Sequence, residues 1–391
     1  MISYMLDEEH QALRDTVGEF AREVVQPVIG GYYERAEFPY DLIARMAKLG
    51  LFGLPFPAEY GGMGGDLFAL GLALEELARV DSSVAITLEA AVALGAMPVY
   101  RFGSDAQRRR WLPDLCSGDR LAAFGLTEAG GGSDIPGGMR TTARLVDTEA
   151  GGAEWVIDGS KSFITNAGTS ITSLVTVLAV TGDLDAGRRE ISAIVVPSGT
   201  PGLTAGPEYS KVGWCASDTR ELAFNSCRVP ADHLLGERGR GYAQFLEILD
   251  EGRIAIAALA TGLAQGCVDE CVRYVGERAA FGHRLGQFQA IQFKLADMAA
   301  RVHAARLAWY DAAARVVAGE PAKKQAAIAK LVASNAAMDN AREATQIFGG
   351  YGFMNEFPVG RFYRDAKVLE IGEGTSEVQR MIIARELGLR G

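Results

Sequence analysis

Between Asp7 and about Leu115 the apolar residues recur at helical spacing, as in LIARMAKLGLFG and LFALGLALEELARV. The runs are punctuated by FP, LPFPAEYGGMGG and MP. This pattern predicts a helical N-terminal domain over residues 1–120. From Leu121 to Leu235 it changes to short alternating or continuous apolar runs such as SLVTVLAV and EISAIVVP, which predicts a strand-rich middle domain over 121–235. There EWVIDGSKSFIT reads as a hairpin, with Asp158-Gly159 as a turn pair tolerant of positive φ. Helical periodicity returns over 236–391 in four long segments that begin at Gly241, Gln289, Ala326 and Thr375. Their short connections predict antiparallel neighbours in a bundle. The order helix, strand, helix predicts an α+β chain with segregated layers and not βαβ alternation.

A chain of 391 residues has room for two or three domains. Its formal net charge of −10 comes with no long basic run, so the electrostatic footprint of a nucleic-acid binder is missing. No apolar run approaches the roughly 18 residues that cross a bilayer, and no membrane span is expected. The start, MISYMLDEEHQALRDTV, reads as neither a secretory signal nor a transit peptide. The expected location is the bacterial cytoplasm, or the mitochondrial matrix for a mature eukaryotic chain. Five cysteines without a C-x-x-C pair argue against a disulfide framework, and Cys267 and Cys271 share one helical face as reduced core residues.

Several chemistries lack their motifs. DGSKSF fails the P-loop pattern, and GGGSDIPGG has Ile135 where G-x-S-x-G needs its last glycine. Four scattered histidines without H-E-x-x-H give no case for a metal site, and GERGRG follows no strand of a βαβ unit. What remains is a set of glycine-rich loops that let backbone approach a ligand, and one acid, Glu373, between two glycines ahead of a helix start. Ser376 with Gln379 reads as the capping box of that helix, which leaves Glu373 on a loop at its N-terminal end.

Six motifs occur in the order and at the spacing of acyl-CoA dehydrogenases: TEAGGGSD, DGSKSFITNAG, KVGWCASDTRELAFNSCRVP, ERAAFGHRLGQFQAIQ, QIFGGYGF and YRDAKVLEIGEGTSEVQR. LDEEHQALRDTVGEFAREVVQP and LGLFGLPFPAEYGGMG also resemble that family, so the resemblance covers nearly the whole chain. It implies an N-terminal α-helical domain, a middle β-barrel-like domain and a C-terminal four-helix bundle, with FAD bound non-covalently between the last two. The implied reaction is α,β-dehydrogenation of a saturated acyl-CoA thioester to the trans-2-enoyl-CoA, with electrons passed on to electron-transferring flavoprotein. Glu373 matches the general base that takes the α-proton. Phe124, Leu126 and Thr127 match residues that line the flavin, Ser133 one that contacts flavin or CoA phosphates, and Phe163 and Thr165 residues at the isoalloxazine. Arg278, Phe281 and Gln289 match positions that hold the diphosphate and adenosine end of a neighbouring subunit's FAD. Gln346, Gly349 and Gly350 match a stretch across the same interface, and Thr375 and Glu377 complete the cofactor set. Asp250 and Arg253 match positions along the CoA path, and Gly372 and Gly374 flank the acyl group. A homotetramer, a dimer of dimers, is the implied assembly.

The sequence departs from the family in places. Gly252 stands where some branched-chain members carry their base, which disfavours the isovaleryl type. Gly372 stands where straight-chain enzymes usually have tyrosine, which widens the pocket beside the α-carbon. Phe163 replaces a common tryptophan and Ala129 a common proline, while Trp214 and Cys215 have no explanation at the level of sequence. The pocket floor is expected from ITLEAAVALGAMP, with Glu89 near the acyl tail. The implied substrates are short or short-branched, such as butyryl-, isobutyryl- or 2-methylbutyryl-CoA. A same-fold oxidase or monooxygenase, and a non-catalytic helical scaffold, stand as the alternatives.

Overall fold

The computed structural model describes residues 6–149, 151–184 and 188–389. The N-terminal part is helical: α1 (Glu8–Phe20), α2 (Gln26–Arg35), α3 (Tyr40–Lys48), α4 (Leu67–Ala78), α5 (Ser82–Glu89), α6 (Met97–Phe102) and α7 (Asp105–Ser117). Short polar side chains start four of these helices, α1, α4, α5 and α7, by accepting orphan backbone N–H groups. Asp7 accepts from His10 N, Asp66 from Ala69 N, and Asp81 from Ser83 and Val84 N, while Ser104 and Gln107 form a reciprocal capping box. Between α5 and α6 the helix widens into a π-helical run, Ala90–Ala96.

The middle part is one sheet. Its strands are β1 (Leu121–Gly125), β2 (Thr142–Asp147), β3 (Ala153–Thr165), β4 (Thr172–Asp183), β5 (Arg189–Pro197), β6 (Leu203–Glu208), β7 (Thr219–Pro230) and β8 (Leu234–Leu235), with a short helix α8 (Ile135–Gly138) after β1. The order is β6-β7-β3-β2-β4-β5-β8, with β1 parallel to β4. The hairpin expected at Asp158-Gly159 is not formed, because β3 runs straight through it. Gly159, at φ +143°, serves a bulge against β7 instead of a turn. Thr141 Cα lies 2.6 Å from where a Cβ at Gly159 would stand, so the close approach of β2 requires glycine.

The C-terminal part packs α9 (Gly241–Glu277), α10 (Gln289–Val317) and α11 (Lys323–Phe348) with α12 (Pro358–Leu369) and α13 (Ser376–Glu386). A two-residue ladder, β9 (Ala279–Ala280) with β10 (His283–Arg284), links α9 to α10. The expected four segments omitted α12, which Pro358 starts at its first position as proline often does. The stretch Ser82–Phe102 and α9 contain windows of mean hydropathy 1.5 and 1.3, long and apolar enough to cross a membrane, contrary to the reading of the sequence. Of these windows 94% and 89% is buried inside the protein, so their apolar residues are accounted for as core. One apolar core runs from the N-terminal helices through α9 to α12, and a smaller one is formed by buried residues of the sheet strands themselves.

Candidate active site

Glu373 sits on the loop between α12 and α13, and three contacts fix that loop. Lys330 of α11, fully buried, donates from Nζ to the Gly374 carbonyl at 2.7 Å. Gln379 Nε2 donates to the same carbonyl at 2.8 Å, and Ser376 N to the Glu370 carbonyl at 3.0 Å. The helix cap differs from the expected one. Thr375 is the N-cap, its hydroxyl accepting from Val378 N at 3.3 Å, so Ser376 is already the first helical residue and Gln379 reaches past it to the loop. Glu373 and Gly374 both adopt positive φ, +52° and +90°. For glutamate this conformation is strained.

The carboxyl that this loop presents is taken out of water. Glu373 Oε2 is buried and meets no donor, although the residue as a whole keeps some exposed surface. A Cβ at Gly252 of α9 would stand 2.4 Å from Oε2 and 3.3 Å from Leu94 Cδ2, so α9, the π-helical run and the loop converge on one point. Position 252 and position 373 therefore address the same place from two elements. Burial pushes the Glu373 carboxyl up to about 7; Glu89, Lys330 and Arg253 each draw it partly back. Glu89, fully buried at the end of α5, is driven well above the carboxylate range by burial and then by Glu373 beside it. Lys330 is pushed down to about 8 by burial, with the charge of Glu373 opposing.

On the CoA side, Arg253 is buried and ion-paired with Asp250 one turn earlier on α9. The intrahelical pair is present, and Arg253 also turns its field on Glu373. Gly372 is half-buried with open space beside it, its nearest contact for an added Cβ being the Val368 carbonyl at 3.5 Å.

The glycine-rich loop after β1 is held from beneath by a buried ion pair. Lys161 of β3 donates to Glu128 Oε1 at 2.7 Å and to the Leu126 carbonyl at 3.3 Å, while the Glu128 carboxylate accepts from Arg140 N and Thr141 N. Burial opposes the Glu128 charge, but Lys161 and these donors outweigh it and hold the carboxyl below its usual range. Phe124 stacks on Phe245 of α9 with centroids 3.9 Å apart, and Thr127 accepts from Ser162 N at 2.8 Å. Ser133 lies exposed at the loop tip. Phe163 is 65% exposed although it is a large ring, and it is held at φ +63° in an irregularity of the β3–β7 pairing. Thr165, half-buried, follows at the end of β3. Thr375 and Glu377 lie at the start of α13, the former half-buried and the latter exposed.

The remaining cofactor candidates stand elsewhere. Arg278 follows Gly252 by 26 positions on α9 and its cap, about 39 Å at 1.5 Å per residue. Arg278, Gly349 and Gly350 line a hollow of about 550 Å³ with Tyr274, Tyr351 and Met354. Phe281 is 93% exposed at φ +52°, and Gln289 and Gln346 are exposed. Within one chain this group does not meet Glu373.

The structure accounts for Trp214, which the sequence left unexplained. Its backbone N donates to Asp365 Oδ1 at 2.7 Å and its indole to Ser82 Oγ at 3.1 Å, while Tyr33 and Ser82 hydroxyls donate to the same buried aspartate. This network ties the middle sheet and α5 to α12, directly ahead of the Glu373 loop. Cys215 beside it makes only a 3.6 Å contact with the Lys211 carbonyl. Sequence reasoning missed Lys330, Lys161, Glu128 and Asp365. The apolar setting of Lys330 in AAIAKLVAS, on a helix face otherwise destined for the core, was a usable signal.

Comparison with known proteins decides the family. Models of the acyl-CoA dehydrogenase N-terminal, middle and C-terminal domains match residues 7–119, 123–227 and 239–388. The chain belongs to the acyl-CoA dehydrogenase family. It is 41% identical to the short-chain specific acyl-CoA dehydrogenase, mitochondrial, of Rattus norvegicus over 98% of this chain and 91% of that one. It superposes on the butyryl-CoA dehydrogenase of Megasphaera elsdenii with a TM-score of 0.93 at 40% identity, covering 98% of this chain and 99% of that one. A chain from the structure described as the electron transferring flavoprotein of Acidaminococcus fermentans matches with a TM-score of 0.93 at 40% identity, over 98% and 99% of the two chains. Acyl-CoA dehydrogenases are FAD flavoprotein oxidoreductases, and FAD is the cofactor of this one. The residues fit it: an exposed aromatic ring held in strain beside a glycine-rich loop offers a flat apolar face and free backbone N–H groups.

Proposed function

We propose that this acyl-CoA dehydrogenase acts on short or short-branched acyl-CoA thioesters, with Glu373 as the base that takes the α-proton. The observation that carries this reading is Glu373 Oε2, buried without a donor among the described residues on an anchored loop, with burial raising the carboxyl to about 7. FAD, when bound, accepts the β-hydride. The chain's own residues do the rest. Burial makes Glu373 basic enough to compete for a carbon-bound proton, and the backbone N–H of Glu373 is the donor toward the thioester oxygen. Phe124, Leu126, Thr127, Phe163 and Thr165 form the flavin face, Ser133 reaches phosphate, and Asp250 and Arg253 lie on the CoA path. Gly252 leaves the space that the base occupies.

The short-chain assignment draws on the relatives, one named short-chain specific and another butyryl-CoA dehydrogenase. The homotetramer draws on the separation of about 39 Å between Gly252 and Arg278. A second copy is needed if Arg278, Phe281, Gln289, Gln346, Gly349 and Gly350 are to hold the far end of FAD. Electron-transferring flavoprotein is the proposed acceptor, and the bacterial cytoplasm the proposed location. The test is anaerobic titration of the yellow holoenzyme with butyryl-, isobutyryl-, isovaleryl- and octanoyl-CoA. Fast bleaching by a short ester, lost about 10²- to 10⁴-fold in Glu373→Gln, is the expected result. Equal turnover of palmitoyl-CoA would refute the chain-length assignment, and normal bleaching of the variant would refute the base.

A further inference from the structure

Glu89 has no role in the reaction as described. Its side chain is fully buried, and among the described residues neither carboxyl oxygen meets an N–H or O–H donor. An ionised carboxylate in that setting is costly unless something donates to it. The group beside it is Glu373. Leu94, which approaches the same point as Glu373 Oε2, lies in the π-helical run five residues after Glu89, on the next turn of the same continuous helix. Both Glu89 and Leu94 come up to the Glu373 carboxyl. Glu373 Oε2 also lacks a donor. Two ionised carboxylates offer only acceptors and repel; with one proton between them, one donates to the other.

We propose that Glu89 is a positioning residue that shares a single proton with Glu373 and, by donating it as a hydrogen bond, keeps Glu373 the ionised member and fixes its direction. This inference rests on Glu373 being the base. The surroundings decide which acid keeps the proton. Facing Glu373 are the cations Lys330 from α11 and Arg253 from α9, the latter paired with Asp250. Among the described residues the charged group facing Glu89 is Glu373. The other charges on elements packed around α5 are engaged with each other: Glu75 with Arg306, Glu76 with Arg14 and Arg79, and Asp81 with Arg361. Asp365 is held by Tyr33, Ser82 and the Trp214 backbone. The negative charge therefore rests on Glu373 and the proton on Glu89. When the substrate C–H bond breaks, an O–H bond forms on Glu373 and the pair carries two protons, so no charge is left between the two acids.

The test is the pH dependence of flavin reduction by butyryl-CoA, measured anaerobically on the holoenzyme and on three variants. Glu89→Leu keeps an apolar side chain of similar reach but removes the donor. Its acid limb should move about one pH unit upward, giving about tenfold slower reduction on that limb and a rate that recovers at higher pH. Glu89→Gln retains an N–H donor and should restore most of the wild-type profile. Glu373→Gln should be slowed about 10²- to 10⁴-fold at every pH. An unmoved acid limb in Glu89→Leu, with Glu373→Gln slowed at every pH, would overturn the shared proton alone. Normal reduction by Glu373→Gln would overturn the base and the pairing together.

Discussion

Replacing Glu373 with glutamine should stabilise the folded protein above neutral pH while it slows the reaction about 10²- to 10⁴-fold. Burial lifts this carboxyl from an ordinary 4.5 to about 7. Between those values the folded state binds more protons than the unfolded chain, so stability falls as pH rises through the window, and above pH 7 the whole penalty is present. At about 1.4 kcal/mol per pH unit the interval corresponds to about 3 kcal/mol. Unfolding entropy of about 2.1 cal/mol/K per residue turns this into about 4 °C for a chain of this length. Glutamine has no charge to desolvate and should escape the penalty. The assay is thermal unfolding of wild-type and variant holoenzyme at pH 5 and pH 8.5. The two should melt within about 1 °C of each other at pH 5, with the variant about 4 °C higher at pH 8.5. Coincident melting at pH 8.5, or a lower value for the variant, would mean that the carboxylate is well solvated, and the argument for a basic Glu373 would fail with it.

Two further substitutions probe the supports of the site. In Gly252→Ala the new methyl would stand 2.4 Å from Glu373 Oε2. The atom displaced is the end of a flexible side chain, so melting should change by less than about 2 °C while reduction slows about 10²-fold through misplacement of the base. Undiminished reduction would put the carboxyl somewhere else. Lys161→Met strands the buried Glu128 carboxylate, a loss of about 3–5 kcal/mol. It also frees the Leu126 carbonyl. Denaturant unfolding and FAD retention on gel filtration should both fall, and a variant that kept its flavin and its midpoint would show that this ion pair does not hold the glycine-rich loop.

Much of the architecture was legible because it is carried by periodicity. The change from period 3.6 to period 2 near Leu121 and back near Gly241 coincides with the first strand and with the start of α9. What was misread depended on contacts between distant segments. Asp158-Gly159 has the composition of a turn, but the approach of Thr141 converts the glycine's freedom into a bulge. Thr375 outcompeted Ser376 as the cap because Gln379, assigned to the capping box, is drawn to the Gly374 carbonyl that Lys330 also holds. The place of Glu373 on a loop ahead of α13 was legible from its motif. The proximity of Glu89 was not, since 284 residues separate the two acids and only the packing of α5 against the core brings them together.

Backbone strain supplies a line of support that owes nothing to motif matching. Among the described residues seven that are not glycine have positive φ: Ala36, Phe163, Asn166, Trp214, Ser226, Phe281 and Glu373. Each such conformation costs of order 1 kcal/mol or more and persists only where the surroundings impose it. Phe163 and Phe281 are also among the most exposed large apolar side chains; their rings meet Tyr209 and Phe288 at centroid distances of 5.4 and 6.4 Å but stay largely in water, so burial does not repay the strain within one chain. A flat cofactor over Phe163 and a second subunit at Phe281 would do so. Trp214 is compensated inside the chain, through Asp365 and Ser82, and its strain is spent on fixing α12 ahead of the base. At Glu373 the strained backbone carries a carboxyl whose buried Oε2 lies at the space left by Gly252.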